Sequence, residues 1–195
     1  MSRAPLAPEK IDPKGAAEVM AEKCLSGEID LKDDSVKQLL NRISLVAKCF
    51  PEKNIKPMEE DDWKLVYGEL CLGKRSANEL DSAMLAKEIV SYYGHSFGGL
   101  LDKLAPERMI LPSGKKAKVF YPDNGPPEIS ARITDFIGMK GRFTLCQGRA
   151  QGIYDILAPN YRTVQKTEDL GSFWTNIYPE IKPSLVRKYP RHPWP

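Results

Sequence analysis

The sequence has no run of about 20 apolar residues, the length a membrane-spanning helix requires. Its longest uncharged stretch, Ile89 to Leu101, is thirteen residues and is interrupted by three glycines and a histidine. Histidine is scarce, with two in the chain, and there is no C-x-x-C pair. The four cysteines, Cys24, Cys49, Cys71 and Cys146, lie 22 residues or more apart, whereas zinc needs closely spaced soft ligands. No metal site is expected, and no cofactor. The N-terminus carries Arg3, Pro5, Pro8 and Glu9 with no apolar core, so no secretory signal is visible, and an extracellular disulfide frame is not expected. Four reduced, mostly buried thiols and a cytoplasmic location are the expectation. The EF-hand spacing is absent from the acidic run Glu59 to Asp62, and no internal repeat is found.

What is present reads as folded and soluble. The 195 residues are 42% hydrophobic and 28% charged, with mean hydropathy −0.42, enough for one domain or two small ones. The net charge of +3 is a sum of unlike halves. Residues 1 to 99 carry 14 Lys/Arg against 17 Asp/Glu, and residues 100 to 195 carry 15 against 9, so the halves stand at −3 and +6. Such asymmetry points to a polyanion partner or to an ordinary solvated surface.

Periodicity divides the chain in the same way. Residues 1 to 10 read as a flexible lead-in, 11 to 105 as a helical subdomain and 106 to 195 as an α+β domain with antiparallel hairpins and a C-terminal helix. Asp12-Pro13 opens the first helix and Gly27 stops it. Asp33 to Ser35 cap a second, with Val36, Leu39, Leu40, Ile43, Val46 and Phe50 at helical spacing up to Pro51. Glu59 to Asp62 start a third that Gly73 closes, and Asp81 or Ser82 starts a fourth that resumes after a break near Gly94. Beyond Pro106, Met109 to Leu111 and Lys116 to Tyr121 flank Pro112-Ser113-Gly114 as a hairpin. Pro122 to Pro127 is a loop, and Ile129 to Phe136 is either strand or helix. Phe143 to Cys146, Ile153 to Leu157 and Arg162 to Lys166 read as strands. Thr167-Glu168-Asp169 cap a last helix expected to end before Pro179, with Pro183 starting another turn.

Two motifs resemble catalytic signatures. Gly68 to Lys74 has P-loop spacing, but Arg75 stands where the magnesium-binding hydroxyl belongs, and the stretch ends a helix where a P-loop opens one. Gly94-His95-Ser96-Phe97-Gly98 fits a nucleophile elbow, which Asp135 or Asp155 and His192 complete in chain order. A serine esterase using Ser96 is therefore an alternative. The parallel strands alternating with helices that it needs are missing after residue 105. No catalytic residue is assigned.

The basic half offers candidate nucleic-acid contacts instead. These are Lys115, Lys116, Lys118, Arg142, Arg149, Arg187, Lys188 and Arg191, with Trp194 as a stacking ring, and Arg162 lies among them in the chain. A second reading has Tyr189 and Trp194 packed on the domain and the arginines merely solvated, because a tryptophan near a terminus is costly to leave exposed.

Several segments resemble the C-terminal region of bacterial ATP-dependent helicases of the HrpB type, relatives of DEAH-box RNA helicases. The matching pieces include Leu104-Ala105-Pro106, Leu111-Pro112-Ser113-Gly114-Lys115, Ala131-Arg132, Ser172-Phe173-Trp174 and Tyr178-Pro179-Glu180. The most specific is Arg187-Lys188-Tyr189-Pro190-Arg191-His192-Pro193-Trp194-Pro195. The resemblance runs through about residues 104 to 195 and more weakly over 42 to 80. It implies a non-catalytic accessory module, since neither two RecA-like lobes nor an Asp-Glu-x-His box is present. It also implies a helicase motor as partner, in cis or in trans. The basic half is then expected to contact RNA or another single-stranded nucleic acid, or to serve as a protein-docking module without RNA binding, and no membrane is expected.

Overall fold

The computed structural model describes residues 13–194 and is α+β, with a helical first half, a mixed second half built on antiparallel hairpins, and a C-terminal helix. The expectations for residues 1 to 10, the Asp12 cap and Pro195 lie outside the described residues. Two compact units emerge. One takes the chain up to Leu40 together with Lys56–Gly98, and the other takes Asn41–Ile55 with the chain from Gly99 onward.

In the first unit, helix α1 (Pro13–Ser26) stops at Gly27, whose φ of 81° suits a residue without a Cβ. Helix α2 (Asp34–Cys49) starts here, capped by Asp33, which accepts the amides of Ser35 (2.9 Å) and Val36 (3.1 Å). The other Asp33 oxygen accepts the Ser82 hydroxyl at 2.6 Å, so one carboxylate serves the starts of two helices. Helix α3 (Glu60–Cys71) opens on a capping box between Glu59 and Asp62. Helix α4 (Ser82–Tyr92) opens on Asp81, which accepts the Met84 amide. Gly94 (φ 113°) breaks the path and helix resumes as α5 (Phe97–Leu104). Most apolar positions of the helical spacing are buried, among them Met20, Val36, Val66, Leu70, Leu85 and Ile89, whereas Val19 and Leu25 on α1 are exposed.

Gly68 lies inside α3, and among the described residues no strand precedes the P-loop-like stretch. Ser96 follows helix α4, where an elbow requires a strand.

The second unit is built on a sheet. Its strands are β1 (Arg108–Ile110), β2 (Lys116–Phe120), β3 (Glu128–Arg132), β6 (Ile153–Leu157) and β7 (Thr163–Thr167), side by side in that order. Neighbours are antiparallel except β3 and β6, which run parallel from Glu128 beside Ile153 to Arg132 beside Leu157. A parallel pair needs a crossover. Here it holds a 3-10 turn (Ile133–Phe136) and the separate two-stranded pair β4 (Thr144–Leu145) and β5 (Ala150–Gln151). The ambiguous segment at 129 to 136 is thus strand and then 3-10 helix.

Ile129, Ile133, Phe136, Phe143 and Ile156 are fully buried against this sheet, and Tyr154 meets Phe136 edge-on at 5.4 Å. At Gly152 the backbone comes so close that an added Cβ would strike the Phe143 ring and lie 2.7 Å from the Pro127 carbonyl. The part of α2 in this unit brings Arg42, which is 2% exposed. Its Nε donates to the Ala105 carbonyl (2.7 Å) and its two terminal nitrogens to Glu107 (2.8 Å) and Asp102.

The end of the chain departs from expectation. Asp169 does cap a helix, accepting the Gly171 amide at 2.8 Å, but α6 (Leu170–Ser172) runs through a π turn (Phe173–Ile177) straight into α7 (Tyr178–Lys188). Pro179 does not end it: it follows the π turn directly, as the second residue of α7, and the chain stays helical through it. Pro183 sits inside α7. The π turn leaves Phe173 fully buried and lets the Trp174 indole donate to the Met139 carbonyl at 3.1 Å.

Candidate nucleic-acid interface

Eight of the nine candidate residues fall into three groups within the second unit, and Arg142 stands apart from them. Lys115 and Arg149 are committed internally. The Lys115 ammonium lies 2.8 Å from Asp135, whose side chain is only 9% exposed and which Arg132 also approaches at 3.6 Å. Burial pushes the Asp135 carboxyl up, but these two cations outweigh it and hold it below the ordinary carboxylate value. Arg149 donates to the Cys49 carbonyl and to Glu52 (2.9 Å), with its guanidinium 4.2 Å from the centre of the Phe50 ring.

Lys116 and Lys118 form the second group. Alternation on β2 buries Ala117 and Val119 and turns both lysines and Phe120 outward. The register with β1 sets Lys118 opposite Arg108 and Lys116 opposite Ile110. This outer face is not purely cationic, because a cavity of about 420 Å³ beside it is lined by Asp102 and Glu107 as well as Arg108 and Lys116. Arg142 stands apart on an exposed residue whose backbone bridges to Asp169.

The third group surrounds a groove of about 620 Å³ between β7 and the end of α7. Arg162, Thr163 and Val164 line one side, and Leu185, Arg187, Lys188 and Tyr189 the other. Arg162, Arg187 and Lys188 are exposed, and no acidic residue is in the lining. Helical spacing near the α7 terminus places the basic pair at the rim, and the short β6–β7 turn places Arg162 across from it. The tail beyond α7 folds back on itself: the Trp194 indole donates to the Tyr189 carbonyl at 3.1 Å, and the two rings lie 6.3 Å apart. Tyr189 and Trp194 are thereby half-buried, while Arg191 stays exposed. The rings of the tail are thus held against one another, and the Arg191 side chain is exposed.

Sequence reasoning had Arg162 in view as a basic residue but not as a partner of Arg187 and Lys188. It passed over Tyr161 altogether. Tyr161 is 69% exposed in the turn that delivers Arg162, and the only available signal was an aromatic residue following Pro159-Asn160 in a turn. Among the described residues no group of three or more His, Cys, Asp or Glu is placed to hold a metal ion, and no helix is long and apolar enough to cross a membrane. The four cysteines are free thiols, three buried and Cys49 half-buried.

Comparison with known proteins bears on the same region. The chain is 28% identical over 164 residues to the ATP-dependent RNA helicase HrpB of Escherichia coli (strain K12), an alignment that takes in 82% of this chain and 20% of the relative. Two solved structures share the fold. A crystal structure of the E. coli DExH-box NTPase HrpB matches 98% of this chain with a TM-score of 0.84 at 23% identity. A crystal structure of the E. coli DEAH/RHA helicase HrpB matches 97% with a TM-score of 0.73 at 21% identity. The chain spans 24% and 25% of those two chains. The family model described as ATP-dependent helicase C-terminal matches residues 67–195, about two thirds of the sequence and all of the strands and the groove. The chain belongs to the ATP-dependent helicase C-terminal family.

Proposed function

We propose that the protein is the non-catalytic C-terminal module of an ATP-dependent helicase, acting beside a motor in cis or in trans. In this reading it holds a single RNA strand on the cationic groove between β7 and α7. The observation that carries the reading is the convergence of Arg162, Arg187 and Lys188 on a groove with no acid in its lining. Cations exert their full field on a phosphate only where no carboxylate neutralises them, and this sets the groove above the β1–β2 face, where Asp102 and Glu107 intervene.

Fluorescence polarisation with a labelled 12-nucleotide RNA across a salt series tests it. Each phosphate neutralised on a single strand contributes about −0.7 to the slope of log affinity against log salt, so three contacts predict a slope near −2. R162Q/R187Q/K188Q should flatten that slope and weaken binding, and K116Q/K118Q should do much less. Absence of any polarisation shift at low salt and high protein concentration defeats the RNA reading.

A second reading rests on Ile110 and Phe120, which are 73% and 50% exposed on the same outer face of the β1–β2 hairpin. Two large apolar side chains exposed at opposite ends of that face, with Arg108 and Lys118 between them, support a protein contact, here with the helicase motor. I110D/F120D should abolish co-purification of helicase lobes without changing RNA affinity, and retained co-purification refutes that contact.

A further inference from the structure

The turn joining β6 to β7 carries a tyrosine that neither packing nor backbone preference explains. The Ala158 amide donates to the Arg162 carbonyl (2.8 Å), the Tyr161 amide to the Ala158 carbonyl (2.9 Å), and Asn160 Oδ1 accepts the Arg162 amide (3.2 Å). This closed turn forces Tyr161 to a φ of 64°, in the left-handed region where glycine or asparagine is favoured and a large side chain crowds its own carbonyl. The ring gains little in return. It is 69% exposed, with the Arg132 guanidinium 5.7 Å from its centre. A strained backbone and an exposed aromatic both cost stability, and such combinations concentrate at functional sites.

We infer that Tyr161 is a stacking platform for an unpaired RNA base, positioned so that the same strand lays its phosphates on the groove that begins at the next residue, Arg162. Every base has a π-face, so the contact is tolerant of sequence and selective for single strands, whose bases are free to splay out. The inference rests on the RNA reading above and adds the group that tells a single strand from a duplex.

The full chain is titrated with a 12-nucleotide single-stranded RNA, the same RNA made abasic, and a 12-base-pair duplex. Tyr161→Gly is the informative variant, because glycine fits φ 64°, and the strain it relieves offsets the freedom it gives the unfolded chain, so its melting temperature should stay close to that of the parent. Loss of the ring should weaken single-strand binding by about 5- to 150-fold, the equivalent of ~1–3 kcal/mol for one stacked base. Affinity for the abasic strand and the duplex should be unchanged, and Tyr161→Phe should bind like the parent. If Tyr161→Gly binds the single strand as the parent does while R162Q/R187Q/K188Q loses it, the stacking role is overturned and the cationic groove stands. If the parent binds none of the three, the RNA reading falls and takes Tyr161 with it.

Discussion

Arg42 offers a quantitative test of how charge is buried in the sheet-bearing unit. Its side chain is 3% exposed, whereas those of its two ion-pair partners, Asp102 and Glu107, are 72% and 70% exposed. The burial is one-sided, so the two ways of breaking the cluster are unequal. Arg42→Met removes the buried charge and leaves two carboxylates that water solvates well. The remaining loss is the Ala105 carbonyl, which forfeits its donor in a fully buried residue at about 1–3 kcal/mol, partly offset by the apolar methionine stem. D102N/E107Q keeps the shapes and the acceptors but strands a guanidinium away from both water and any anion. Removing the partner of a buried charge costs about 3–5 kcal/mol.

The double amide should therefore be the less stable by about 2 kcal/mol, although it changes fewer atoms. Chemical denaturation of the two variants and the parent, with m-values checked for constancy, measures the difference. The shortfall should persist at high salt, since a buried group is little screened. If Arg42→Met proves the more destabilising, or if salt erases the gap, then packing of the arginine stem and not charge burial governs the site.

Three further outcomes are expected. Gly152→Ala should cost about 1–3 kcal/mol in thermal or denaturant unfolding, because the new methyl meets the Phe143 ring and the Pro127 carbonyl at once; parent-like stability would show that the crossover yields there. The Asp33 carboxyl is held down to about 2 by hydrogen bonds from the hydroxyls of Ser35 and Ser82 and the amide of Val36. Its folded value lies below its unfolded one, so its contribution is complete above about pH 4 and is lost as pH falls toward 2; Asp33→Ala should remove that part of the acid sensitivity of unfolding, and an unchanged pH profile counts against it. Burial, followed by the neighbouring Cys49 thiol, pushes the Cys146 thiol well above its ordinary value, which keeps it protonated at pH 8. Mass mapping after iodoacetamide treatment at that pH should find Cys146 unmodified in the folded protein and alkylated only after unfolding; modification of the native state would refute the burial argument.

The helical half was legible because its signals are local. Asp33, Glu59 and Asp81 each cap the helix that the apolar period predicts, and Gly27, Gly73 and Gly94 mark the breaks with left-handed backbone. The β1–β2 hairpin was legible for the same reason, since Gly114 supplies the turn between two alternating segments. The parallel pairing of β3 with β6 was not, because nothing near Ile129 or Ile156 records which distant strand it will lie beside. The last helix was expected to stop at Pro179, but the proline follows a π turn that no local pattern announces, and the chain stays helical through it.

The interface shows the same division. Basic residues are visible in a sequence, but their partners are not. Lys115 and Arg149 are spoken for by acids 20 and 97 positions away, and only the fold reveals it. Arg162, Arg187 and Lys188 differ from them in having no acid beside their groove, a property of the surface and not of any residue.

The π turn at Phe173–Ile177 also bears on how such a surface persists through insertion and deletion. A wide turn accommodates one residue more than an α-helix would over the same span, stored as a bulge in place of a loop. Each residue added to or removed from a helix rotates everything beyond it by about 100°. The bulge thus acts as a vernier between two independently fixed points: the Asp169 cap with Trp174 at one end, and at the other the phase of α7 that brings Leu185 inward and Arg187 and Lys188 to the groove. Chains that differ by one residue in this segment can present the same basic edge only by gaining or losing the bulge, so helix length and surface phase are free to vary separately.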